Sequence, residues 1–350
     1  MFLRDKNKVG AKIVIIILIA LVYLSLIFAP PGKLREYRDI YIETAMTTSQ
    51  HKWLATAFFP EKLINEVMSQ KVNAVKALTE QSFSPSYMSD FKKRNSDILQ
   101  QKHLLEGSKN KHGHTLLIND KEEKILIYKI KTNMYTGFMV LVAEPDRVWL
   151  KNTPYKDKNG QTISQFCDKN NILAINASAY KRMKEAEDGG TVAGLCYSDG
   201  ESWGEYDKNN MSLGFLNNDK FAVGSIKNWE EYGFRDAIQF SPALIINSEV
   251  ITQSTNGWGL QPRTCIGQRE DGVVLFLVID GRQIGYSYGA TIENCIEEML
   301  KYEAINAACC DGGSSTALSY KGELINIPSA KGEDGMALPN AWAVRSRNGV

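Results

Sequence analysis

Short apolar runs separated by polar turns dominate the chain from Lys124 onward. The runs are rich in branched and aromatic residues, which favour extended backbone, and clusters of Asn, Gly and Asp separate them. Longer helical patterns are fewer and lie at residues 162–170 and 292–302. This pattern predicts an α+β fold, a mixed and mainly antiparallel twisted sheet with flanking helices. The predicted strands lie at residues 125–128, 138–142, 172–175, 243–246 and 273–279.

The pattern before residue 113 is different and favours helices. Leu63, Ile64, Val67 and Met68 recur at the three- and four-residue spacing of one helix face. A Ser-Pro-Ser break at residues 84–86 ends this pattern, and residues 91–105 predict a second, polar helix. We therefore divide residues 30–350 into a helical segment, 30–112, and one larger domain, 113–350. The helical segment would be juxtamembrane if the residues before it cross a bilayer.

An apolar run at residues 13–29 follows a basic N-terminal stretch with Arg4, Lys6, Lys8 and Lys12. At about 1.5 Å per helical residue it would span roughly 25 Å, near the lower limit for crossing a bilayer. A cleavable signal peptide is the alternative, but two prolines follow the run directly and no small-x-small cleavage site is evident. We expect an uncleaved transmembrane signal anchor. Residues 1–12 would then be a cytoplasmic basic tail, and the rest of the protein would be extracytoplasmic at the cell membrane.

A glycine- and hydroxyl-rich loop follows the apolar residues 304–310. Two glycines allow backbone angles that other residues avoid, so successive N–H groups could face one anion. Three hydroxyl side chains add donors, and the preceding aspartate adds a carboxylate. A tight turn without function is the alternative for such a motif. The motif reads Asp311, Gly312, Gly313, Ser314, Ser315 and Thr316.

Two arginines and a second aspartate lie upstream of this loop. Arg263 and Arg282 are permanently charged and present the planar fork that suits paired phosphate oxygens, although either could be structural. Asp280 and Asp311 each follow an apolar strand-like run, so we expect both carboxylates at the same end of a sheet. Cations, an anion-binding loop and carboxylates suit cleavage of a glycosyl phosphodiester, in which a phosphate monoester departs and a carboxylate activates water or stabilises an oxocarbenium ion.

Composition narrows the range of partners. The formal net charge is +1, which argues against a nucleic-acid partner. Hydrophobic residues make up 43% of the chain, which is typical of a globular domain, here expected outside the membrane. No histidine cluster indicates a metal site, so we expect no cofactor, although aspartates alone could hold Ca²⁺ or Mg²⁺. The cysteines do not form a disulfide framework, and we expect buried thiols at Cys167, Cys196, Cys265 and Cys295, with no bridge between the adjacent Cys309 and Cys310.

The order of these motifs resembles the phosphodiester glycosidase family, which includes the lysosomal uncovering enzyme and a bacterial branch often labelled exopolysaccharide biosynthesis protein. The resemblance runs from about residue 113 to the C-terminus and is strongest over residues 236–329. It implies a hydrolase that cleaves the sugar C1–O bond of glycosyl-1-phosphodiesters in envelope glycopolymers. It also implies catalytic roles for Asp311, Asp280, Arg263 and Arg282, and substrate-binding roles for Asn176, Thr264, Gly312, Gly313, Ser314, Ser315 and Thr316.

Three departures from the family pattern affect this reading. Ser178-Ala179-Tyr180 stands where relatives carry Gly-Gly-Phe, and Ala317-Leu318 replaces a final Thr-Met pair. Met336 occupies the position of an arginine four residues before an Asn-Ala pair. Two further functions stay open, and these changes favour the first of them. One is a catalytically weakened protein that binds sugar phosphates or assists envelope assembly, and the other is a metal-dependent enzyme that cleaves the P–O bond.

Overall fold

The computed structural model of the protein describes residues 2–48, 51–69, 104–181, 189–251, 258–330, 332 and 334–347, with side chains from residue 14 onward. The chain forms two compact units. The described residues of Met1–Val72 and Asn256–Gly259 belong to the first unit, and those of Asn73–Thr255 and Leu260–Val350 belong to the second.

The first unit is helical. It contains α1 (Phe2–Ile27), α2 (Lys33–Met46) and α3 (Trp53–Thr56), and residues 61–69 are also helical. A small apolar core joins α2, α3 and residues 61–69, and its buried members are Ile42, Ala45, Ala55, Ile64 and Val67. The helix predicted around residue 64 is therefore confirmed, whereas most of the helix predicted at residues 91–105 lies outside the described residues.

The apolar side chains of α1 from Val14 to Leu24 are exposed to solvent. Nevertheless, none of the helices in the described ranges is both long and apolar enough to cross a membrane. The structure therefore lends no support to the transmembrane anchor predicted at residues 13–29.

The second unit is built around an eight-stranded sheet in which neighbouring strands are antiparallel. The strand order is β1 (Thr115–Asp120), β2 (Ile125–Lys131), β3 (Thr136–Val142), β14 (Val274–Ile279), β13 (Arg263–Arg269), β15 (Ala304–Cys309), β11 (Ala243–Ile246) and β12 (Glu249–Val250). Because β13 lies between β14 and β15 and is antiparallel to both, β14 and β15 run in the same direction and end at the same edge of the sheet.

Two five-stranded antiparallel sheets complete this unit. The first has the order β7 (Glu201–Gly204), β6 (Leu195–Ser198), β10 (Phe234–Phe240), β8 (Met211–Leu216) and β9 (Phe221–Gly224). The second has the order β17 (Glu323–Leu324), β16 (Leu318–Tyr320), β5 (Asn171–Asn176), β18 (Asn340–Arg345) and β4 (Val148–Asn152). The mixed, mainly antiparallel α+β architecture predicted from the sequence is thus confirmed.

Helices cover the sheets at the places where their apolar residues face inward. Helix α4 (Ile163–Phe166) packs on the second five-stranded sheet, and α5 (Trp229–Tyr232) contacts β10. Helix α6 (Ile292–Lys301) packs on the eight-stranded sheet and begins with a capping box in which the Thr291 hydroxyl accepts from the Asn294 N–H. The sequence pattern placed α6 well but made α4 several residues too long.

One apolar core collects side chains from all three sheets, as strands with one inward face require. At its centre the ring of Phe215 in β8 lies 5.2 Å from that of Phe221 and 5.7 Å from that of Trp342 in β18. The six cysteines are buried free thiols, as predicted for the four that are not adjacent.

Because Phe215 connects the two five-stranded sheets, we expect Phe215→Ala to lower the free energy of unfolding by about 3–5 kcal/mol, as large-to-small changes of buried aromatic residues do. Urea denaturation followed by tryptophan fluorescence would measure the loss. Tyr155→Ala, at an exposed ring, is the matched control and should change stability by less than about 0.5 kcal/mol. Equal losses in the two variants would contradict the central position of Phe215.

Candidate active site

Three strands of the eight-stranded sheet bring the predicted charged residues to one edge. Arg263 begins β13 and pairs with Ile279 at the end of β14, so Asp280 follows directly beside it. On the other side of β13, Cys265 pairs with Cys309 at the end of β15, and Asp311 follows two residues later. The two aspartates therefore leave the sheet at the same end, as the apolar runs before them had indicated.

Asn176 connects this edge to the second five-stranded sheet. It is the last residue of β5 and is fully buried. Its amide nitrogen donates to the backbone oxygen of Asp311 at 2.6 Å, and its amide oxygen accepts from the Thr264 hydroxyl at 2.6 Å and from the Ala317 N–H at 3.1 Å. With both amide atoms engaged, Asn176 positions the Asp311 loop, and its direct contact with substrate stays a prediction.

The Asp-Gly-Gly loop folds into a 3₁₀ turn at Gly313–Ser315. Gly312 lies so close to the preceding segment that a Cβ atom would come within 2.8 Å of the Pro262 carbonyl oxygen. Gly313 has a φ of +62° and donates its N–H to the same oxygen at 2.9 Å. Both positions therefore require glycine, because a side chain would collide with Pro262 or strain the backbone.

The hydrogen bonds of this turn differ from the predicted anion-binding row of N–H groups. The N–H groups of Ser315 and Thr316 donate to the carbonyl oxygens of Gly312 and Gly313, and the Gly312 N–H donates to the Asp311 carboxylate. The bonds of Ser315 and Thr316 are the i→i+3 bonds of a 3₁₀ turn. An anion at this edge would therefore be bound mainly by arginine and hydroxyl side chains.

Arg282 is positioned over the turn by a neighbouring amide. Its Nε and Nη2 atoms donate to the Gln261 Oε1 atom at 2.8 and 2.5 Å, and Nη1 donates to the Ser314 hydroxyl at 3.2 Å. The guanidinium lies 3.0 Å from the point where a Gly313 Cβ atom would be. Arg282 has a φ of +61°, which is uncommon for a residue with a side chain and is typical of functional sites.

Arg263 lies close enough to Arg282 for their charges to interact. Its Nε atom donates to the Ala290 carbonyl oxygen at 3.0 Å, and the residue is buried. Desolvation and then the charge of Arg263 lower the pKa of Arg282, whereas Asp311 raises it. The Arg282 guanidinium stays charged at neutral pH because the ordinary arginine pKa is so high. Two cations thus share one edge with the Asp311 carboxylate.

Asp311 combines partial burial with a shifted pKa. Desolvation raises its pKa to about 6, against the opposing effects of the Ser315 hydroxyl, the Gly312 N–H and the Arg282 charge. The N–H of Asp311 donates to the Ala177 carbonyl oxygen at 3.0 Å, which fixes the backbone beside the carboxylate. A carboxyl group that titrates close to neutral pH is suited to accept a proton during a reaction.

Asp280 is held differently, although its pKa is also raised by burial. One carboxylate oxygen accepts from the Asn326 amide at 2.7 Å, and the other accepts from the Tyr286 hydroxyl at 2.9 Å and the Ile327 N–H at 3.2 Å. Asp280 is almost fully buried. The side chain of Arg282 hydrogen-bonds to Gln261 and Ser314, whereas the hydrogen bonds to Asp280 hold two surrounding loops in place.

Sequence reasoning missed the residues that support the charged groups. Gln261 orients Arg282, whereas Tyr286 and Asn326 orient Asp280. The only signal for Gln261 was its position two residues before Arg263, and the other two residues stand in otherwise ordinary turns. Their roles depend on contacts between segments distant in sequence.

Two of the departures from the family pattern contact each other. The Tyr180 hydroxyl lies 3.8 Å from the Met336 sulfur, and both side chains pack against the apolar cluster under α4. The Ser178 N–H donates to the Asn340 side chain at 2.9 Å, and the Ala317 N–H donates to Asn176. Each substituted segment is therefore anchored in the fold.

Two cavities of about 410 Å³ each lie around Trp149 and Asp199. Neither is lined by the arginines and aspartates of the candidate site. Within the described residues, no group of three or more His, Cys, Asp or Glu side chains is arranged to hold a metal ion.

The family match to known proteins falls on the part of the chain that contains the candidate site. The phosphodiester glycosidase family profile matches residues 169–345, which include every candidate site residue. An SPbeta prophage-derived uncharacterized protein, YomE, of Bacillus subtilis is 29% identical over 186 residues, which cover 48% of this chain. The matched segment spans only 27% of the length of that relative.

Solved structures share the fold at low sequence identity. The catalytic domain of zebrafish N-acetylglucosamine-1-phosphodiester alpha-N-acetylglucosaminidase, auto-inhibited by its pro-peptide, superposes with a TM-score of 0.52 at 18% identity, covering 64% of this chain and 82% of that one. A hypothetical protein from Synechocystis superposes with a TM-score of 0.54 at 13% identity, covering 67% of this chain and 64% of that one. With the family profile matching half of its length, the chain belongs to the phosphodiester glycosidase family.

Proposed function

We propose that the protein hydrolyses glycosyl-1-phosphodiesters at the sugar C1–O bond. The observation that carries this proposal is the half-buried Asp311 carboxylate, with a pKa of about 6, at the same sheet edge as Arg263 and Arg282. A phosphate monoester is a good leaving group, so the reaction needs charge neutralisation and one carboxylate more than it needs a strong acid.

The geometry suggests a different role for each charged residue. Arg282, oriented by Gln261 and in contact with Ser314, would neutralise the phosphate, and Arg263 would add a second positive charge. Asp311 would activate water or stabilise the oxocarbenium ion at the sugar carbon. Asp280 would act indirectly, because its hydrogen bonds fix the segments on either side of the site.

Binding without turnover is a second candidate function, and Met336 is the observation that favours it. A thioether replaces the arginine of the family pattern, so the protein has one cation fewer at this position. The contact between Tyr180 and Met336 favours the other explanation, which is an active enzyme whose substrate has a different shape. In that case the two changes would fit each other in the fold.

We further propose that the enzyme acts outside the cytoplasm on envelope glycopolymers and is held at the membrane through α1. The support is the basic stretch before the apolar run and the exposure of the α1 side chains from Val14 to Leu24. These apolar side chains would gain free energy on contact with lipid.

Protease added to intact cells without an outer membrane should digest the domain that follows residue 113. The expected orientation places that domain outside, because the basic residues precede the apolar run. Immunoblotting against a C-terminal tag would follow the digestion, with a cytoplasmic protein as the control. Protection of the tag until the membrane is permeabilised would mean that the proposed orientation is wrong.

Asp311→Asn should lower kcat on a chromogenic sugar phosphodiester by about 10²–10⁴-fold while KM changes little, because it removes charge and basicity but keeps the shape. Arg263→Lys should mainly raise KM, since lysine lacks the bidentate fork.

When the wild-type protein hydrolyses the substrate in ¹⁸O-labelled water, the label should appear on the sugar. Label on the phosphate would instead show P–O cleavage and refute the proposed mechanism.

A stability measurement separates loss of function from loss of fold in Asp311→Asn. The pKa of Asp311 is raised in the folded protein, so its carboxyl favours folding fully below its unfolded pKa near 4. That advantage is lost as the pH rises through about 6. At pH 8 the asparagine variant should therefore be more stable than wild type by about 1–3 kcal/mol, and at pH 3 the difference should vanish. A less stable variant at pH 8 would contradict the assigned shift.

The pH–rate profile should report the same carboxyl group. If ionised Asp311 is required, kcat/KM should fall on the acidic side with an apparent pKa of about 6. Ser315→Ala removes a hydrogen bond that stabilises the ionised form, so it should move this limb to higher pH by about one unit. Ser314→Ala is the matched control, because Ser314 contacts Arg282 and should leave the acidic limb in place.

A further inference from the structure

Three uncharged segments surround the outer side of the candidate site. They are residues 132–135, 283–288 and 326–330, and none of them contains Asp, Glu, Lys or Arg, although 23% of the chain is charged.

The segments are hydrogen-bonded to one another and to the site. The Tyr288 N–H donates to the Met134 carbonyl oxygen at 2.8 Å, and the Gln283 amide donates to the Ile327 carbonyl oxygen at 2.7 Å. The Arg282 N–H donates to the Tyr288 carbonyl oxygen at 3.2 Å. The three segments therefore form one surface that begins at Arg282.

This surface exposes large apolar side chains. Ile284 is 94% exposed, Ile327 52%, Met134 46% and Tyr288 45%. We call these four residues the apolar rim. A single exposed apolar residue needs no explanation, but several on connected segments beside an active site indicate an interaction surface.

The apolar rim is presented by ordered backbone. Residues 283–287 form a tight hairpin in which Gln283 and Ser287 exchange both backbone hydrogen bonds, at 2.9 Å each. The Tyr286 hydroxyl donates to the Asp280 carboxylate at 2.9 Å, and the Ser287 hydroxyl donates to the Asp280 carbonyl oxygen at 2.5 Å. Ile284 therefore stands at the tip of a hairpin fixed at its base by Asp280.

We propose that the apolar rim binds a hydrocarbon aglycone, so that the preferred substrate among envelope glycopolymers is one whose glycosyl phosphate is esterified to a lipid chain. The inference rests on the proposed function. A glycosyl phosphodiester has a sugar on one side of the phosphate and an aglycone on the other, and Arg282 lies between the Asp311 loop and the rim. With the sugar at Asp311, the aglycone extends over the rim, where the exposed apolar side chains favour hydrocarbon over a glycan.

Binding of methyl phosphate and octyl phosphate to the full-length protein tests the rim without requiring turnover. Calorimetry below the micelle concentration should show octyl phosphate binding at least about tenfold more tightly, since each fully buried methylene strengthens binding about fourfold. Ile284→Ser and Met134→Ser should each reduce that preference by about threefold or more and leave methyl phosphate binding unchanged. Val250→Ser is the matched control, because Val250 is also branched and 41% exposed but lies in β12 at the far edge of the sheet.

Two results would overturn the inference. One is equal affinity of the wild-type protein for both phosphates. The other is an unchanged octyl preference in Ile284→Ser together with weaker binding to phosphatidylglycerol vesicles, which would identify the rim as a membrane contact. Failure of the proposed function would look different. The chain-length preference would persist, but the protein would hydrolyse neither methyl nor octyl esters of a sugar 1-phosphate.

Discussion

The buried amide of Asn176 is the contact on which the candidate site depends. It lies at the end of β5 in the second five-stranded sheet. It bonds to Thr264 in β13 and Asp311 after β15, both of the eight-stranded sheet, and to Ala317 just before β16 of its own sheet. An amide carries both a donor and an acceptor, and neither an aspartate nor a leucine of similar size could satisfy all three partners. Removing it would leave several buried polar groups without partners, each at a cost of about 1–3 kcal/mol.

The position set by this contact explains the properties of Asp311. The loop is drawn against the sheet edge, so the carboxylate is partly desolvated and its pKa rises to about 6. A raised carboxyl pKa weakens the folded state at neutral pH, which is the opposite of what stability alone would favour. Strained or unfavourable groups of this kind persist where the surrounding structure holds them, and they are concentrated at functional sites.

The two aspartates show how the same residue type acquires different roles. Both follow strands that end at one edge, yet Asp280 receives three hydrogen bonds from Tyr286, Asn326 and Ile327, whereas Asp311 faces the arginines. Asp280 also forms the base of the hairpin that carries Ile284, so the phosphate site and the apolar rim share one support. Changes in the hairpin could therefore alter the aglycone preference without altering the chemistry.

The sequence by itself determined the fold class and the edge at which the charged residues gather, because strand periodicity is local and each aspartate follows an apolar run. The family resemblance indicated the candidate site residues, and the matched range 169–345 contains them all. Other features were decided by tertiary structure. They include the use of loop N–H groups within the 3₁₀ turn, the orientation of Arg282 by Gln261 and the contact between Tyr180 and Met336. Each depends on segments far apart in the chain, and the periodicity of a sequence carries no information on which buried donor will meet which acceptor.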